Sequence, residues 1–169
     1  MNFTTADLWD DHPNQLTCLT PLFQNYGQKL CFGGEIVTVK LHEDNSLVRE
    51  TLGENGQGKV LVVDGGGSLR CALVGDRLAQ KAIDNGWEGI VVYGCIRDSA
   101  VINQMDIGIK ALQTCPVRSI KRGVGLKGEV LQFAGAVIQP GQYIYGDADG
   151  LLVSENWLIA SKTVLESKE

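Results

Sequence analysis

The chain has 169 residues, 44% of them hydrophobic and 21% charged, which is typical of a globular protein, and we expect a single domain over residues 1–169. The net charge of −5 argues against a basic surface that binds nucleic acid directly. No stretch is long and apolar enough to span a membrane, and the first residues do not resemble a signal peptide, so we expect a cytoplasmic protein without a membrane partner.

The first third of the chain predicts short elements of both kinds. Thr4 or Thr5 is a suitable cap for a helix that runs to Trp9 and ends at His12-Pro13. The expected elements after it are an irregular segment over 14–27, strands over 29–32 and 35–41 separated by Gly33-Gly34, a helix over about 45–54 capped by Asp44 or Asn45, and a buried strand over 59–63 followed by three glycines.

Residues 69–98 have the pattern strand, helix, strand. Residues 69–73 alternate in polarity as a strand does. From Gly75 the apolar residues recur at helical spacing, up to an Asn85-Gly86 pair that stops a helix, and residues 90–93 form a short apolar strand. Such a unit crosses over right-handed, so its two strands are expected to be parallel.

Polar residues follow both strands of this unit. Gly75 and Asp76 come after the first strand, and Arg97 and Asp98 come after the second. Parallel strands bring both pairs to one sheet edge, where open α/β sheets bind ligands. The helix start attracts anions, Arg97 suits a carboxylate, and Asp98 suits a divalent cation. The alternative is structural: a plain helix start, and a surface pair in which Asp98 caps a turn.

The last third of the chain predicts mostly strands. They are expected over 107–113, 116–120, 129–138, 142–145 and 150–153, and Ser154 is expected to cap a final helix that reaches about Ser167. The predicted fold is therefore mixed α/β, with parallel strands in the middle and antiparallel strands around them.

Several other features do not indicate a site. Residues 53–60 lack the magnesium-binding hydroxyl of a P-loop, and the Gly-x-Gly-x-x-Gly motif at 123–128 precedes a strand rather than a helix. Nothing marks Lys81 or Lys110 as a Schiff-base lysine. The five cysteines lack Cys-x-x-Cys spacing, and those in apolar contexts are expected to be reduced core thiols: Cys31, Cys71 and Cys115.

Four short motifs carry a family resemblance. They are PLF at 21–23, GKVLVVDGGGS at 58–68, WEGIVVYG at 87–94 and DIG at 106–108. Together they resemble the RraA-like family, which contains the regulator of ribonuclease activity A and metal-dependent aldolases for 4-hydroxy-4-methyl-2-oxoglutarate. The likeness extends over about residues 4–155. It implies a swivelling β/β/α domain with a parallel βαβ core and flanking antiparallel strands, assembled as a ring-shaped homotrimer with sites near subunit boundaries.

The resemblance also implies roles for the residues at the predicted sheet edge. In the aldolases, the segment at the helix start binds the pyruvyl part of the substrate, the Arg contacts the substrate, and the Asp sits at the divalent metal, Mg²⁺ or Mn²⁺. These roles carry over to Gly75, Asp76, Arg77, Leu78 and Arg97 for substrate binding, to Asp76 and Arg97 for catalysis, and to Asp98 for the metal.

Other features fit the regulator branch of the family. The aldolase pattern has an acidic residue three positions after the metal Asp, where this chain has Val101, and residues 32–34 and 43–45 resemble the regulator. The regulator branch typically lacks the metal Asp and the Gly-acid pair, which this chain keeps. A neighbouring chain is then expected to complete the metal site, with Glu155 and the C-terminal helix as candidates.

Two functional hypotheses follow. The first is a metal-dependent aldolase that cleaves 4-hydroxy-4-methyl-2-oxoglutarate to pyruvate and also decarboxylates oxaloacetate, since both small 2-oxo acids react through a pyruvate enolate. Arg97 and the N–H groups of residues 75–78 would hold the oxygens, and Asp76 would position a metal-bound water that moves protons. The second is a protein inhibitor that binds ribonuclease E and modulates RNA degradation, its acidic surface masking a basic stretch of the partner.

Overall fold

The computed structural model describes residues 1–160 as four helices and twelve strands. The helices are α1 (Thr5–Asp11), α2 (Ser46–Leu52), α3 (Asp76–Asp84) and α4 (Ser99–Ile102). The strands are β1 (Leu16–Cys18), β2 (Gln24–Tyr26), β3 (Phe32–Lys40), β4 (Lys59–Asp64), β5 (Ala72–Val74), β6 (Gly89–Ile96), β7 (Ile109–Thr114), β8 (Leu126–Lys127), β9 (Leu131–Phe133), β10 (Ala136–Ile138), β11 (Tyr143–Gly146) and β12 (Leu151–Ser154).

Parallel strands form the centre of the main sheet, and antiparallel strands form its sides. The path runs β1-β12-β11-β3-β4-β6-β7-β2, with β5 paired to β6 and β8 paired to β3. The pairs β3–β4, β4–β6, β6–β7 and β5–β6 are parallel. β1, β2, β11 and β12 pair only in the antiparallel sense within the described chain. The predicted α/β class, with a parallel βαβ core, is confirmed.

Both faces of the sheet are covered, which explains the continuous apolar sequence of its central strands. Leu61 and Val63 of β4 pack in a cluster with residues of α2 and α3. Val60 and Val62, on the opposite face of the same strand, pack with the hairpin β9–β10. A strand that is buried on both faces has no solvent side and therefore no polar alternation.

The glycine pair in β3 does not break the strand, so the prediction of two separate strands was wrong. A Cβ on Gly34 would lie 2.6 Å from the carbonyl oxygen of Gly58, and one on Gly33 would lie 3.0 Å from that of Ile144. The glycines therefore provide the space that neighbouring backbone segments need, and β3 runs continuously through them.

Four further predictions need correction. The strand predicted over 69–73 from its alternation is only Ala72–Val74, three residues that are all buried and therefore do not alternate. Residues 14–27 are not irregular, because they contain the short strands β1 and β2. Residues 116–120 form no strand and make only a single bridge, from Arg118 to Ala72. Ser154 does not cap a helix: it ends β12, and its hydroxyl donates to the carbonyl oxygen of Asn156 at 2.6 Å. The rest of that predicted helix, from residue 161 on, lies outside the described residues.

The predicted cap of the N-terminal helix is confirmed, and the prediction of core thiols is confirmed for Cys71 only. The Thr4 hydroxyl accepts the N–H of Asp7 at 3.0 Å and caps α1, as predicted. All five cysteines are free; Cys71 is buried, whereas Cys31 and Cys115 are half-buried rather than part of the core. Among the described helices, none has the length and apolar character needed to cross a membrane.

Candidate active site

A cleft of about 850 Å³ opens at the carboxyl ends of β5 and β6, beside the start of α3. The structure brings every residue of the predicted site into its wall: Gly75, Asp76, Arg77, Leu78, Arg97 and Asp98. This convergence follows from the topology, because β5 and β6 are parallel and both lead into the same edge of the sheet.

Gly75 allows the Asp98 carboxylate to lie directly against the start of α3. The backbone of Gly75 is extended, with φ −122° and ψ −171°, so conformational freedom is not what requires glycine. The requirement is space, since a Cβ at this position would lie 2.7 Å from Oδ2 of Asp98. The N–H of Asp76 donates to the same oxygen at 3.3 Å. The helix N-terminus thus contacts a carboxylate from the next strand.

Asp98 has the left-handed backbone conformation, with φ 57° and ψ 34°. This region costs a non-glycine residue about 1 kcal/mol, although Asp tolerates it better than most. The side chain makes no capping bond to α4, so the structural alternative of a cap is not observed. The N–H of Arg97 donates to the carbonyl oxygen of Val74 at 2.9 Å, which ties this turn to β5. Local strain held in place by its surroundings is typical of functional residues.

Arg97 and Asp76 complete this part of the cleft. Nε of Arg97 lies 3.9 Å from Oδ2 of Asp98, a loose ion pair, and both side chains are partly exposed. Oδ1 of Asp76 accepts the N–H of Arg77 at 2.8 Å. The guanidinium group and one carboxylate oxygen of Asp76 therefore remain available to a ligand in the cleft.

Asn45 also lines the cleft, although the sequence indicates it only as a helix cap. It precedes α2 without making a side-chain cap, and its Nδ2 donates instead to the carbonyl oxygen of Leu73 at 3.1 Å. Its Oδ1 is buried and has no hydrogen-bond partner in the part of the chain that the structure describes. A buried oxygen without a partner costs about 1–3 kcal/mol, and the residue that carries it lines the cleft.

The cleft concentrates positive charge in a chain that is acidic overall. Its basic side chains are Arg49, Arg77, Lys81, Arg97, Arg118 and Lys121, and its acidic ones are Asp76 and Asp98. Among residues 1–160, only Arg97 of the six basic side chains lies within 4.0 Å of a carboxylate. Unpaired cations around a concave surface attract an anionic ligand.

The loop between β7 and β8 carries the far wall of the cleft and is anchored by Asp44. Oδ2 of this buried carboxylate accepts the N–H of Arg122 at 2.7 Å and that of Val124 at 3.1 Å. Oδ1 accepts the Ser46 hydroxyl at 2.6 Å. Burial raises the pKa of Asp44, but the hydrogen bonds from Ser46, Val124 and Arg122 outweigh burial and hold this pKa well below its usual range.

The oxygen atoms of the cleft fit a small, hard divalent cation. Among the described residues, no cluster of three or more His, Cys, Asp or Glu side chains exists that would hold a metal by protein ligands alone. Mg²⁺ is commonly bound through one or two carboxylates, with water and substrate oxygens filling the remaining positions. Asp98 and Asp76 match that pattern, whereas Val101 is exposed and offers no ligand.

The two lysines considered in the sequence differ in position. Lys81 lines the cleft, and Lys110 does not. Lys110 is buried in β7, where its ammonium group donates to the carbonyl oxygen of Asp147, and burial lowers its pKa. Its hydrogen bond indicates a structural role, joining β7 to the turn between β11 and β12.

The whole fold is shared with known proteins. The family model RraA-like, described as Aldolase/RraA, matches residues 5–153. A protein of Dechloromonas aromatica (strain RCB) named "Putative 4-hydroxy-4-methyl-2-oxoglutarate aldolase" is 58% identical over 158 residues, which cover 91% of this chain and 97% of that protein.

Two solved structures are similar over almost their full length. The S-adenosylmethionine: 2-dimethylmenaquinone methyltransferase from Geobacillus kaustophilus HTA426 has a TM-score of 0.91 and 50% identity, covering 95% of this chain and 100% of that chain. The RNA-processing inhibitor RraA from Thermus thermophilis has a TM-score of 0.90 and 39% identity, covering 96% and 99%. These relatives carry names for different activities on one fold, so activity has to be inferred from the site.

Proposed function

The chain belongs to the RraA-like family, and we propose that it is a divalent-metal-dependent aldolase that cleaves 4-hydroxy-4-methyl-2-oxoglutarate to pyruvate and also decarboxylates oxaloacetate. The observation that carries this proposal is the meeting of Gly75-Asp76 with Arg97-Asp98 in one positively charged cleft. The name of the Dechloromonas aromatica relative supports the same activity.

Asp98 is the residue that would hold the cation, Mg²⁺ or Mn²⁺, with Asp76 nearby. When bound, such a cation supplies Lewis-acid stabilisation of the negative charge that develops on the 2-oxo oxygen. The chain fits this role because Asp98 lines the cleft and its side chain is partly exposed, so that a cation can reach the carboxylate.

The other residues bind and orient the substrate. Arg97 would grip the carboxylate next to the 2-oxo group. The start of α3 would add the positive end of its helix dipole, since the N–H groups of Asp76 and Arg77 already donate to the carboxylates of Asp98 and Asp76. Asp76 would accept the proton of the 4-hydroxyl group, through a water, as the C3–C4 bond breaks. The electron pair of that bond passes into the pyruvate enolate, and C4 with its hydroxyl oxygen becomes the carbonyl of a second pyruvate. The enolate then takes at C3 the proton that Asp76 accepted, again through the water, and becomes pyruvate.

The test is pyruvate release from each substrate with Mg²⁺ or Mn²⁺, with and without EDTA. We expect turnover that EDTA abolishes. Asp98→Ala should lower turnover by more than about 100-fold, because it removes a carboxylate that anchors the cation. Asp10→Ala on α1, an exposed acid outside the cleft, is the matched control and should behave as the wild type. Metal-independent turnover, or none with either substrate, would contradict the proposal.

A homotrimer is part of this proposal. Five apolar side chains between residues 117 and 130 are each more than half exposed: Val117, Ile120, Val124, Leu126 and Val130. Exposed apolar side chains at this density favour a protein contact. Ile120 also lines the cleft, so a subunit that covers this segment would lie at the edge of the site.

A second candidate function is inhibition of ribonuclease E. The similarity to RraA from Thermus thermophilis and the net charge of −5 favour it. An acidic protein that covers a basic RNA-binding stretch should bind less tightly as salt rises. A pull-down with ribonuclease E at increasing ionic strength is the test, and no binding at low salt would exclude this role.

A further inference from the structure

We propose that Arg49 and Lys81 form a second anion-binding position in the cleft, which binds the substrate carboxylate remote from the 2-oxo group. The inference rests on the proposed function, because it takes the 2-oxo end to lie at Arg97 and the start of α3. This second position makes the chain bind dicarboxylic 2-oxo acids more tightly than monocarboxylic ones.

The packing of α2 against α3 puts the two cations beside one groove. Gly53 follows Arg49 by four residues and keeps helical backbone angles, so both lie on the same face of α2. A Cβ on Gly53 would lie 3.1 Å from Cε and 3.2 Å from Nζ of Lys81. The lysine side chain therefore extends from α3 across the end of α2, toward the face that carries Arg49, and both residues line the cleft.

The separation suits a dicarboxylic acid. Lys81 follows Asp76 by five residues on α3, which corresponds to about 7.5 Å along the helix axis. This is comparable with the length of an extended five-carbon dicarboxylate. The rise is between backbone positions, and Asp76, Lys81 and Arg97 all line the same cleft. A substrate whose 2-oxo end lies between Arg97 and the start of α3 can therefore extend along the cleft toward Lys81.

The charges also favour an anion at this position. Within residues 1–160, neither Arg49 nor Lys81 has a carboxylate within 4.0 Å. Two cations that share a groove repel each other, and an anion that lies between them offsets this repulsion by attracting both. The competing explanation is that Lys81 only stabilises the C-terminal end of α2 through the helix dipole.

Equilibrium binding of two unreactive probes separates these explanations. 2-Oxoglutarate and 2-oxopentanoate have equal chain lengths, and only the first has a remote carboxylate; neither has the 4-hydroxyl group that cleavage needs. By calorimetry in the presence of Mn²⁺, we expect the wild type to bind 2-oxoglutarate at least about tenfold more tightly. The double variant Arg49→Gln/Lys81→Met should bind both probes equally, with less than about a twofold change for 2-oxopentanoate.

Two further variants act as controls. Lys81→Arg keeps the charge and should keep the preference for 2-oxoglutarate. Lys59→Met removes one charge at the start of β4, which is the opposite edge of the sheet, and should also keep it. A double variant that keeps the wild-type preference, or a wild type without one, would contradict the inference. If the single variant Lys81→Met has a lower Tm but still prefers 2-oxoglutarate, the role of Lys81 is to stabilise the end of α2, which also contradicts the inference.

The aldolase assay on the same samples distinguishes failure of the proposed function from failure of this inference. A wild type that prefers 2-oxoglutarate but releases no pyruvate contradicts the proposed function and supports the second anion-binding position. A wild type that releases pyruvate but does not distinguish the probes contradicts the second position alone.

Discussion

The carboxylate of Asp98 and the backbone of Gly75 are closer together than any side chain at position 75 would allow. The left-handed conformation of Asp98 turns its carboxylate toward α3, and the absence of a Cβ at Gly75 lets it arrive there. Each residue alone has a common structural explanation, as a turn or as a helix start. Together they create a carboxylate fixed at a helix N-terminus, which is suited to bind a cation and a substrate at once.

Gly75→Ala should lower kcat/KM by about 10- to 100-fold, because small displacements of an aligned group are costly in catalysis. The new Cβ would lie 2.7 Å from Oδ2 of Asp98, so the carboxylate must move away from α3. We expect little change in Tm, since the displaced group is partly exposed. Gly150→Ala is the control, because no atom lies within 4 Å of a Cβ there. Wild-type kinetics for Gly75→Ala would show that this contact has no catalytic role.

The loop between β7 and β8 contributes more residues to the cleft wall than any other loop. It supplies Arg118 and Lys121. Ser119 accepts the N–H of Asn45 at 3.3 Å, and the N–H of Ile120 donates to the carbonyl oxygen of Glu43 at 3.2 Å. Together with the bonds to Asp44, these contacts fix the loop against the start of α2, so the loop can present its cations from a defined position.

Asp44→Asn should destabilise the fold by about 2–3 kcal/mol at pH 7, because the carboxylate accepts several hydrogen bonds in a buried place. The pKa of Asp44 is lower in the folded than in the unfolded state. Its ionised form therefore stabilises the fold above about pH 4, and this contribution is lost progressively as the pH falls below that value. The free energy of unfolding, measured with urea at pH 7, 4 and 3, should be lower for Asp44→Asn than for the wild type. This difference should become smaller as the pH falls. A constant difference would mean that ionisation of Asp44 is irrelevant, and Asp10→Asn controls for a general charge effect.

At the scale of the whole molecule, residues 1–160 of one chain supply too few protein ligands to complete a metal site without water or substrate. Asp98 and Asp76 are the acidic side chains that line the cleft. Glu155, the candidate ligand toward a neighbour, is exposed and does not line the cleft of its own chain; its Oε2 accepts the Gln142 amide at 3.0 Å. A contribution from the next subunit would make metal binding depend on assembly.

Mn²⁺ should therefore raise the Tm more when the proposed homotrimer is assembled than when it is dissociated. A ligand that binds only the assembled state shifts the equilibrium toward that state. The measurement is Tm with and without Mn²⁺ across a protein dilution series, with sedimentation at each concentration to establish the assembly. An equal shift for isolated monomers would show that one chain holds the complete site, and Asp98→Ala should remove the shift throughout.

The sequence by itself determined the central β5–α3–β6 unit and the residues at its ends. The helical period of α3 and the residues that start and stop it are local properties, and tertiary packing did not override them. The alternation over residues 69–73 was misleading, because β5 comprises only Ala72–Val74, which are all buried. The parallel arrangement follows from the handedness of the crossover. This is why Gly75, Asp76, Arg97 and Asp98 were expected at one edge of the sheet before their positions were known.

Only the tertiary structure decided which other residues join them. Arg49, Arg118 and Asn45 reach the cleft from segments that are remote in sequence, so no local pattern marks them. The same holds for the short strands β1 and β2, which form because β12 and β7 offer edges to pair with. The glycine pair of β3 suggested a break in the strand. Its actual role is to leave space for other backbone segments, and these approach it only once the chain is folded.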